Sequence, residues 1–420
     1  MSWARRAAKG LGVALLFLLV ALVWAVLLVP PLLDRIYYDG PVTDHYDGAR
    51  FFNPDGEDTS RPPGGGGRGG LIWRQLTGSD DRPPWPERVQ VTPARPPARV
   101  TGDRMLATWV GHATVLVQAG GVNILTDPIW SRRAGPLGFG PERVAQPGVR
   151  FEDLPRIDLV VVSHNHYDHM DLATLKRLWA RDKPVIVTSL GNEMVIAQAG
   201  VPALRLDWGQ SHEFQPGCYR VGLPTGPGKP QRAAEAMHCD APTIGVTLER
   251  NHHWGSRWFT DRNRALWSAF SIRTPAGSIY HAGDTGIGDG RWPAEAAARR
   301  GPYRLALIPI GAFRFEPGKQ TGTASHIGPI EAAAVWARLG GPTALPIHWG
   351  TFRLSYEAWN TPPRMLAGVM RCRGLGRADP FRARAIGETW DVPPARSGAP
   401  PPLPPDYAAC LRRPEITALP

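Results

Sequence analysis

Apolar positions along this chain fall into two kinds of run. The first is a single long one. From residue 10 to residue 33 there is no charged residue, and Leu, Val, Ala, Phe and Trp fill most positions. About 20 helical residues cross a hydrocarbon core, so this run predicts a transmembrane helix. The second kind is short, continuous and rich in β-branched residues, as buried strands are. Residues 122–126, 157–162, 243–248, 278–282 and 343–347 read this way. Stretches with helical spacing lie among them, at 171–180, 192–199 and 330–339. Strands alternating with helices predict an α/β domain, an αββα sandwich of two βα halves. No internal repeat is present.

Five segments follow from this pattern. Residues 1–9 form a basic cytoplasmic cap and 10–33 the transmembrane helix. Residues 34–103 lead into the domain, and from residue 55 they are rich in Gly, Pro and charge. Arg61-Pro62-Pro63-Gly64-Gly65-Gly66-Gly67 is the extreme, and the stretch reads as a flexible linker. Within it, Leu71-Ile72-Trp73-Arg74-Gln75-Leu76 is apolar enough to pack on the domain or touch lipid. Residues 104–392 form the catalytic domain, and 393–420 a Pro-rich, loosely packed tail.

Charge gives the long run an orientation. Arg5, Arg6 and Lys9 precede it, and Asp34 and Arg35 follow. The positive-inside rule leaves the N-terminus in the cytoplasm and places the domain outside it, in the periplasm of a Gram-negative cell. A cleaved signal peptide is the alternative, against which stand the length of the run and the lack of an Ala-x-Ala site. The net charge of +11 comes from scattered arginines. It suits an anionic membrane surface, and the absence of a long basic run argues against nucleic acid. Cys218, Cys239, Cys372 and Cys410 form no CxxC pair. Outside the cytoplasm a disulfide can form; Cys218 and Cys239 are the nearest pair, and spacing alone does not establish it.

The chemistry sits where the strands end. After 157–162 comes Ser163-His164-Asn165-His166-Tyr167-Asp168-His169-Met170-Asp171, an HxHxDH arrangement in a chain with only 12 histidines. A strand that ends in four such residues points them into one cleft. Imidazoles and a carboxylate without thiolate suit zinc best, and iron or manganese also fit. Each other strand is followed by a similar residue: Asp127, the pair His252-His253, Asp284 within Gly283-Asp284-Thr285-Gly286, and His348. The glycines around Asp284 allow a tight loop.

These motifs, in this order, resemble the metallo-β-lactamase superfamily. Further segments resemble one branch of it, the N-acylphosphatidylethanolamine-hydrolysing phospholipase D family with its bacterial RomA-like relatives. They are His45-Tyr46-Asp47-Gly48-Ala49-Arg50-Phe51-Phe52-Asn53-Pro54, Trp109-Val110-Gly111-His112-Ala113-Thr114, Leu125-Thr126-Asp127-Pro128-Ile129-Trp130-Ser131, Gly140-Pro141-Glu142-Arg143, His253-Trp254, Leu266-Trp267 and Ile347-His348-Trp349-Gly350-Thr351-Phe352.

The resemblance implies a metallo-β-lactamase fold and two divalent ions. His164, His166 and His253 would hold the first, Asp168, His169 and His348 the second. Asp284 would bridge, since its two oxygens can each face one ion. Asp127 would brace the ligands without binding metal. Two such ions make hydroxide available near neutral pH and clamp the oxygens of a phosphodiester, so the implied reaction is in-line attack on phosphorus. The family pattern puts the ligand directly before Trp254, which selects His253 and leaves His252 as an outer or solvent-facing residue.

His326, in the loop before the stretch 330–339, resembles the histidine that faces the substrate phosphate or leaving group. It would act as general acid or phosphate donor. His112 reads as a brace. His45, His212, His238 and His281 read as surface or packing residues. Trp254, Trp258, Phe259 and Trp267 either line an acyl-chain groove or pack the core.

The implied activity is hydrolysis of a phospholipid phosphodiester in the phospholipase D manner at a membrane. Hydrolysis of another ester or a sugar-phosphate lactone, and a metal-binding envelope protein with little turnover, are the alternatives.

Overall fold

The computed structural model describes residues 3–55, 82–229, 231, 233–234, 241–258, 260–315, 322–376, 379–396 and 398–420. The stretches 61–67 and 71–76, His238, Cys239 and Phe259 lie outside the described residues.

The long apolar run is helical. Helix α1 spans Trp3–Leu33, and its segment Arg5–Ala25, of mean hydropathy 2.2, has no part buried against the rest of the protein. By length and composition it could cross a membrane.

The strands form two sheets. β1 (Met105–Gly111), β2 (Thr114–Ala119), β3 (Val122–Thr126), β4 (Leu159–Val162), β5 (Val185–Ser189) and β6 (Leu204–Leu206) belong to the first sheet. β7 (Ser211–Phe214) belongs to the second, and β8 (Arg220–Val221) and β9 (Ala233–Ala234) pair as a separate ribbon. β10 (Ile244–Glu249), β11 (Ala269–Thr274), β12 (Gly277–His281), β13 (Tyr303–Pro309) and β14 (Thr343–Ile347) complete the second sheet. β15 (Thr389–Asp391) returns to the edge of the first, against β1. β3 to β6 run parallel, as do β12 to β14.

Both faces of each sheet are covered, which explains why the strands read as unbroken apolar runs. In β4, Leu159 and Val161 point into the core between the sheets. Val160 and Val162 point the other way, onto Leu175 and Leu178 of α2 (Leu172–Asp182) and Ile196 of α3 (Asn192–Ala197). In β13, Leu305 and Leu307 face inward. Ala306 and Ile308 face a layer built by α4 (Trp292–Arg300), α5 (Pro329–Arg338) and α6 (Thr361–Cys372). This period-2 alternation makes the αββα sandwich of the metallo-β-lactamase fold.

Two segments differ from expectation. Residues 82–103 are not a free linker. Val89 N donates to Val144 O at 2.7 Å, Ala94 N to Gly148 O at 2.7 Å, and Trp85 Nε1 to Glu357 O at 3.0 Å. Prolines in this stretch remove donors, and the N–H groups that remain find edge carbonyls of the domain.

The C-terminal residues are not loosely packed either. Past the prolines, α7 (Tyr407–Cys410) and α8 (Pro414–Thr417) place Cys410, Ile416 and Leu419 in the core beside α6. Cys410 is disulfide-bonded to Cys372 at the end of α6. Cys218 is also disulfide-bonded.

Candidate metal centre

The HxHxDH segment is held at both ends. β4 delivers Ser163, and Asp171 caps α2 by accepting from Ala173 N at 3.1 Å and Thr174 N at 3.3 Å. A capping carboxylate satisfies backbone donors that a helix start leaves open. Across the loop, Arg257 Nη1 donates to Asn165 O at 3.2 Å and Met170 O at 2.8 Å. The turn between His164 and His169 has little freedom left.

The other site residues arrive from strand ends. Three leave their strands through left-handed backbone: His112 after β1 (φ 53°), Asp127 after β3 (φ 35°) and His348 after β14 (φ 65°). Each such non-glycine conformation costs roughly 1–3 kcal/mol, and this kind of strain concentrates at functional sites. Gly283 (φ 59°) precedes Asp284, and a Cβ there would lie 2.7 Å from Ser163 Cβ. Only glycine lets the Asp284 loop come this close to the end of β4.

All seven sequence-predicted ligands come together. His164, His166 and His253 form one group whose donor atoms lie within 4.8 Å of one another, and Asp168, His169 and His348 share another with His112. Asp284 joins His164 with His169, and also His253 with His326. Its Oδ2 lies 3.0 Å from His348 Nε2, 3.2 Å from His169 Nε2, 3.7 Å from His326 Nδ1 and 3.9 Å from His253 Nε2.

The ring nitrogens divide into outward and inward sets. His253 Nδ1 donates to Ser325 O at 2.7 Å, His348 Nδ1 to Gly311 O at 3.2 Å and His169 Nδ1 to Asp127 Oδ2 at 2.8 Å. His164 Nδ1 lies 2.9 Å from Ser163 Oγ, which donates to Asp127 Oδ2 at 2.8 Å. Each of these four rings therefore presents Nε2 to the cluster. That is how metal-binding imidazoles are held. His169 Nε2, His348 Nε2 and Asp284 Oδ1 are buried and make no hydrogen bond of good geometry. Such orphaned atoms are costly unless something binds them, and divalent cations suit this nitrogen and oxygen donor set.

Electrostatics follow burial. Burial drives the His166 imidazole down to about 3 and the His326 imidazole to about 4, the latter against the pull of Asp284. Burial would lower His348 too, but the negative charges of Asp284 and Asp168, whose oxygens lie 3.0 and 3.4 Å from Nε2, lift it to about 9. Burial also opposes ionisation of Asp127, yet His281 and His169 hold its carboxyl well below the usual range.

Several histidines play parts that sequence reasoning did not give them. His281, read as surface or packing, is buried, and its Nε2 meets Asp127 Oδ2 at 2.9 Å. His112, read as a brace, does hold a neighbour: its Nε2 donates to Asp168 Oδ2 at 2.9 Å. His252 is not solvent-facing: it is 1% exposed, with Nδ1 2.6 Å from Ala324 O and Nε2 2.9 Å from Asp55 Oδ1. His45 is buried and lies 2.8 Å from Asp207 Oδ1. None of these contacts has a short-range sequence signal, because each partner is distant in the chain or lacks a motif of its own. Of the aromatics, Trp267 packs in the core, while Trp254 lies edge-on to His166 with centroids 4.1 Å apart.

Comparison with known proteins identifies the family. Residues 122–349 match the model of the beta-lactamase superfamily domain. An N-acyl-phosphatidylethanolamine-hydrolyzing phospholipase D 1 of Caenorhabditis elegans is 32% identical over 297 residues, 69% of this chain and 76% of that protein. The mitochondrial protein of that description in Saccharomyces cerevisiae is 28% identical over 62% of this chain and 50% of its own length. Among solved structures, the metallo hydrolase Igni18 of Ignicoccus hospitalis aligns with a TM-score of 0.45 at 21% identity, covering 69% of this chain and 98% of its own. The domain match and the identity to the nematode protein establish that this chain belongs to the metallo-β-lactamase superfamily, among the metal-dependent hydrolases related to N-acyl-phosphatidylethanolamine-hydrolysing phospholipase D.

Proposed function

We propose that the protein is a membrane-anchored hydrolase, with residues 104–392 as catalytic domain, that cleaves phospholipid phosphodiesters in the phospholipase D manner. The observation that carries this reading is the place of Asp284, whose Oδ2 has imidazole nitrogens of His348, His169, His326 and His253 within 3.9 Å. A carboxylate so surrounded suits a bridge between two cation sites. His164, His166 and His253 would hold one ion, and Asp168, His169 and His348 the other, with zinc favoured by the donors. When bound, such ions lower the pKa of water and polarise a phosphoryl oxygen.

The chain's own groups do the rest. Asp127 fixes His169 and, through Ser163, His164. His112 orients Asp168. His326, beside Asp284 and with Phe315 against its ring at 5.0 Å, is placed to contact the phosphoryl group or the leaving oxygen. Hydrolysis forms one P–O bond from water, breaks the bond to the head-group oxygen and returns a proton to that oxygen.

Two further features support the setting. Helix α1 offers an anchor. The disulfides suit an oxidising compartment, which agrees with the side assigned by the positive-inside rule.

The test is a substrate screen of metal-loaded protein against phospholipid vesicles, bis-p-nitrophenyl phosphate and lactones, with metal content measured in parallel. Two ions per chain and diester turnover are expected, and Asp284→Asn should lower kcat by at least about 100-fold with the fold intact. Turnover of lactones alone, or full activity in Asp284→Asn, would overturn the reading.

A further inference from the structure

Residues 34–55 join α1 to the domain, and polar contacts from both ends of this segment reach the loop 252–264 that carries His253. At the membrane end, the Asp34 carboxylate pairs with the Arg264 guanidinium, Nε lying 3.2 Å from Oδ1. Tyr37 OH donates to Asp261 Oδ2 at 3.0 Å in a buried contact. Further along, Phe51 N donates to Asn263 O at 2.8 Å.

The last contacts reach the histidine pair. Asn53 Nδ2 donates to the carbonyl of His253 at 3.1 Å. Asp55 Oδ1 lies 2.9 Å from His252 Nε2, and Asp55 Oδ2 accepts from Asp289 N at 3.0 Å. Asp55 thus joins the His252 loop to the loop that follows Asp284. Close packing enforces this: Gly288 (φ 49°) has no room for a Cβ, which would lie 2.5 Å from both Asp55 Oδ2 and His252 Cδ2.

Adjacent carbonyls then take adjacent imidazoles. Ala324 O accepts from His252 Nδ1 at 2.6 Å, and Ser325 O accepts from His253 Nδ1 at 2.7 Å. Asn53 fixes the His253 backbone, Ser325 fixes its ring, and Asp55 with Ala324 clamps its neighbour. A ring held in this way cannot turn its Nε2 away from the cluster without breaking a buried hydrogen bond.

We propose that residues 34–55 are a positioning strap that couples the membrane anchor to the metal centre. Asn53 and Asp55 are its positioning residues for His253, and Asp34 and Tyr37 tie its membrane end to the same loop. The strap rests on the proposed membrane-anchored metal-hydrolase reading and adds to it: the loop that carries His253 is tied to the residue directly after α1, Asp34, and so to the anchor.

The experiment uses the full chain in detergent micelles, loaded with zinc, and follows zinc release to a chromogenic chelator. Asn53→Ala and Asp55→Ala should release one equivalent about tenfold faster than the parent or more. On bis-p-nitrophenyl phosphate they should lose kcat with little change in KM, and on phospholipid vesicles they should lose the same factor. Asp55→Asn, whose oxygen can still accept from Asp289 N while its amide donates to His252 Nε2, should recover most of the loss. Parent-like zinc release in variants with parent-like near-ultraviolet circular dichroism would overturn the strap. If Asp55→Ala does not fold, Asn53→Ala, which removes only a donor to a backbone carbonyl, gives the same decision. Failure of the parent itself to take up zinc would instead overturn the metal-hydrolase reading.

Discussion

Residues 34–55 and residues 398–420 both reach the domain from outside its regular elements, but they are fastened by different chemistry. The C-terminal stretch buries Cys410, Ile416 and Leu419 against α6 and is covalently closed by Cys372–Cys410. The N-terminal stretch also buries Tyr37, Tyr46 and Phe51, but in place of a covalent link it adds directional bonds from Asp34, Tyr37, Asn53 and Asp55 to one loop. Apolar burial is non-directional and adds stability wherever it occurs. Hydrogen bonds add less net stability but fix angles. One end should therefore govern whether the domain stays folded, and the other how its metal ligands are aimed.

The largest effect should come from breaking the covalent end. The disulfide closes a loop with a sequence separation of 38, for which chain entropy predicts about 4 kcal/mol. Replacing Cys372 and Cys410 by Ser should lower the melting temperature accordingly and leave zinc release at the parent rate. Faster zinc release would erase the distinction between the two ends.

A smaller effect is expected at Tyr37→Phe. It removes one donor from Asp261, which keeps Ser256 Oγ at 2.8 Å and Arg257 N at 3.0 Å. Stability should fall by about 1 kcal/mol in denaturant titrations. A loss as large as that of the disulfide would mean that the N-terminal stretch is as much a stability element as the C-terminal one.

The smallest effect is a pH dependence. Burial lowers the His45 imidazole, but hydrogen bonds to Asp207 and Asp44 outweigh it and raise the pKa above its ordinary value. The folded protein thus favours the protonated ring. That contribution is complete below about pH 6.5, the value expected for the unfolded chain, and is lost as pH rises through the folded pKa. His45→Gln should flatten the fall in melting temperature over this window. An unchanged slope would assign the pH dependence to other groups.

Much of this molecule was legible from local sequence, for a physical reason. The candidate site residues that could be read, from His164 to His169 and then His253, Asp284 and His348, each follow a strand, and the strands before His164 and His348 are buried on both faces and read as continuous runs of nonpolar residues. The pattern marks the strand, and the strand marks the residue after it. What could not be read depends on contacts between side chains far apart in the chain. His281 meets Asp127 from the other sheet, and nothing around His281 announces it. His252 is kept from solvent by partners far away in the chain, Asp55 at 197 positions and Ala324 at 72. The tail is Pro-rich in composition, yet Cys410, Ile416 and Leu419 lie beyond its cluster of prolines and reach the core. Residues 82–103 misled because prolines say nothing about the donors of Val89 and Ala94.

The contact between Asp127 and His281 has a consequence beyond the brace it provides. Asp127 ends a strand of the first sheet, and His281 ends a strand of the second. One carboxylate thereby indexes the two layers against each other directly beneath the cluster. A chimera taking one layer from this protein and the other from a relative would have to inherit residues 127 and 281 as a matched pair. If the pair were split, the layers could settle in a slightly different alignment, and His169, held by the same carboxylate, would shift with them.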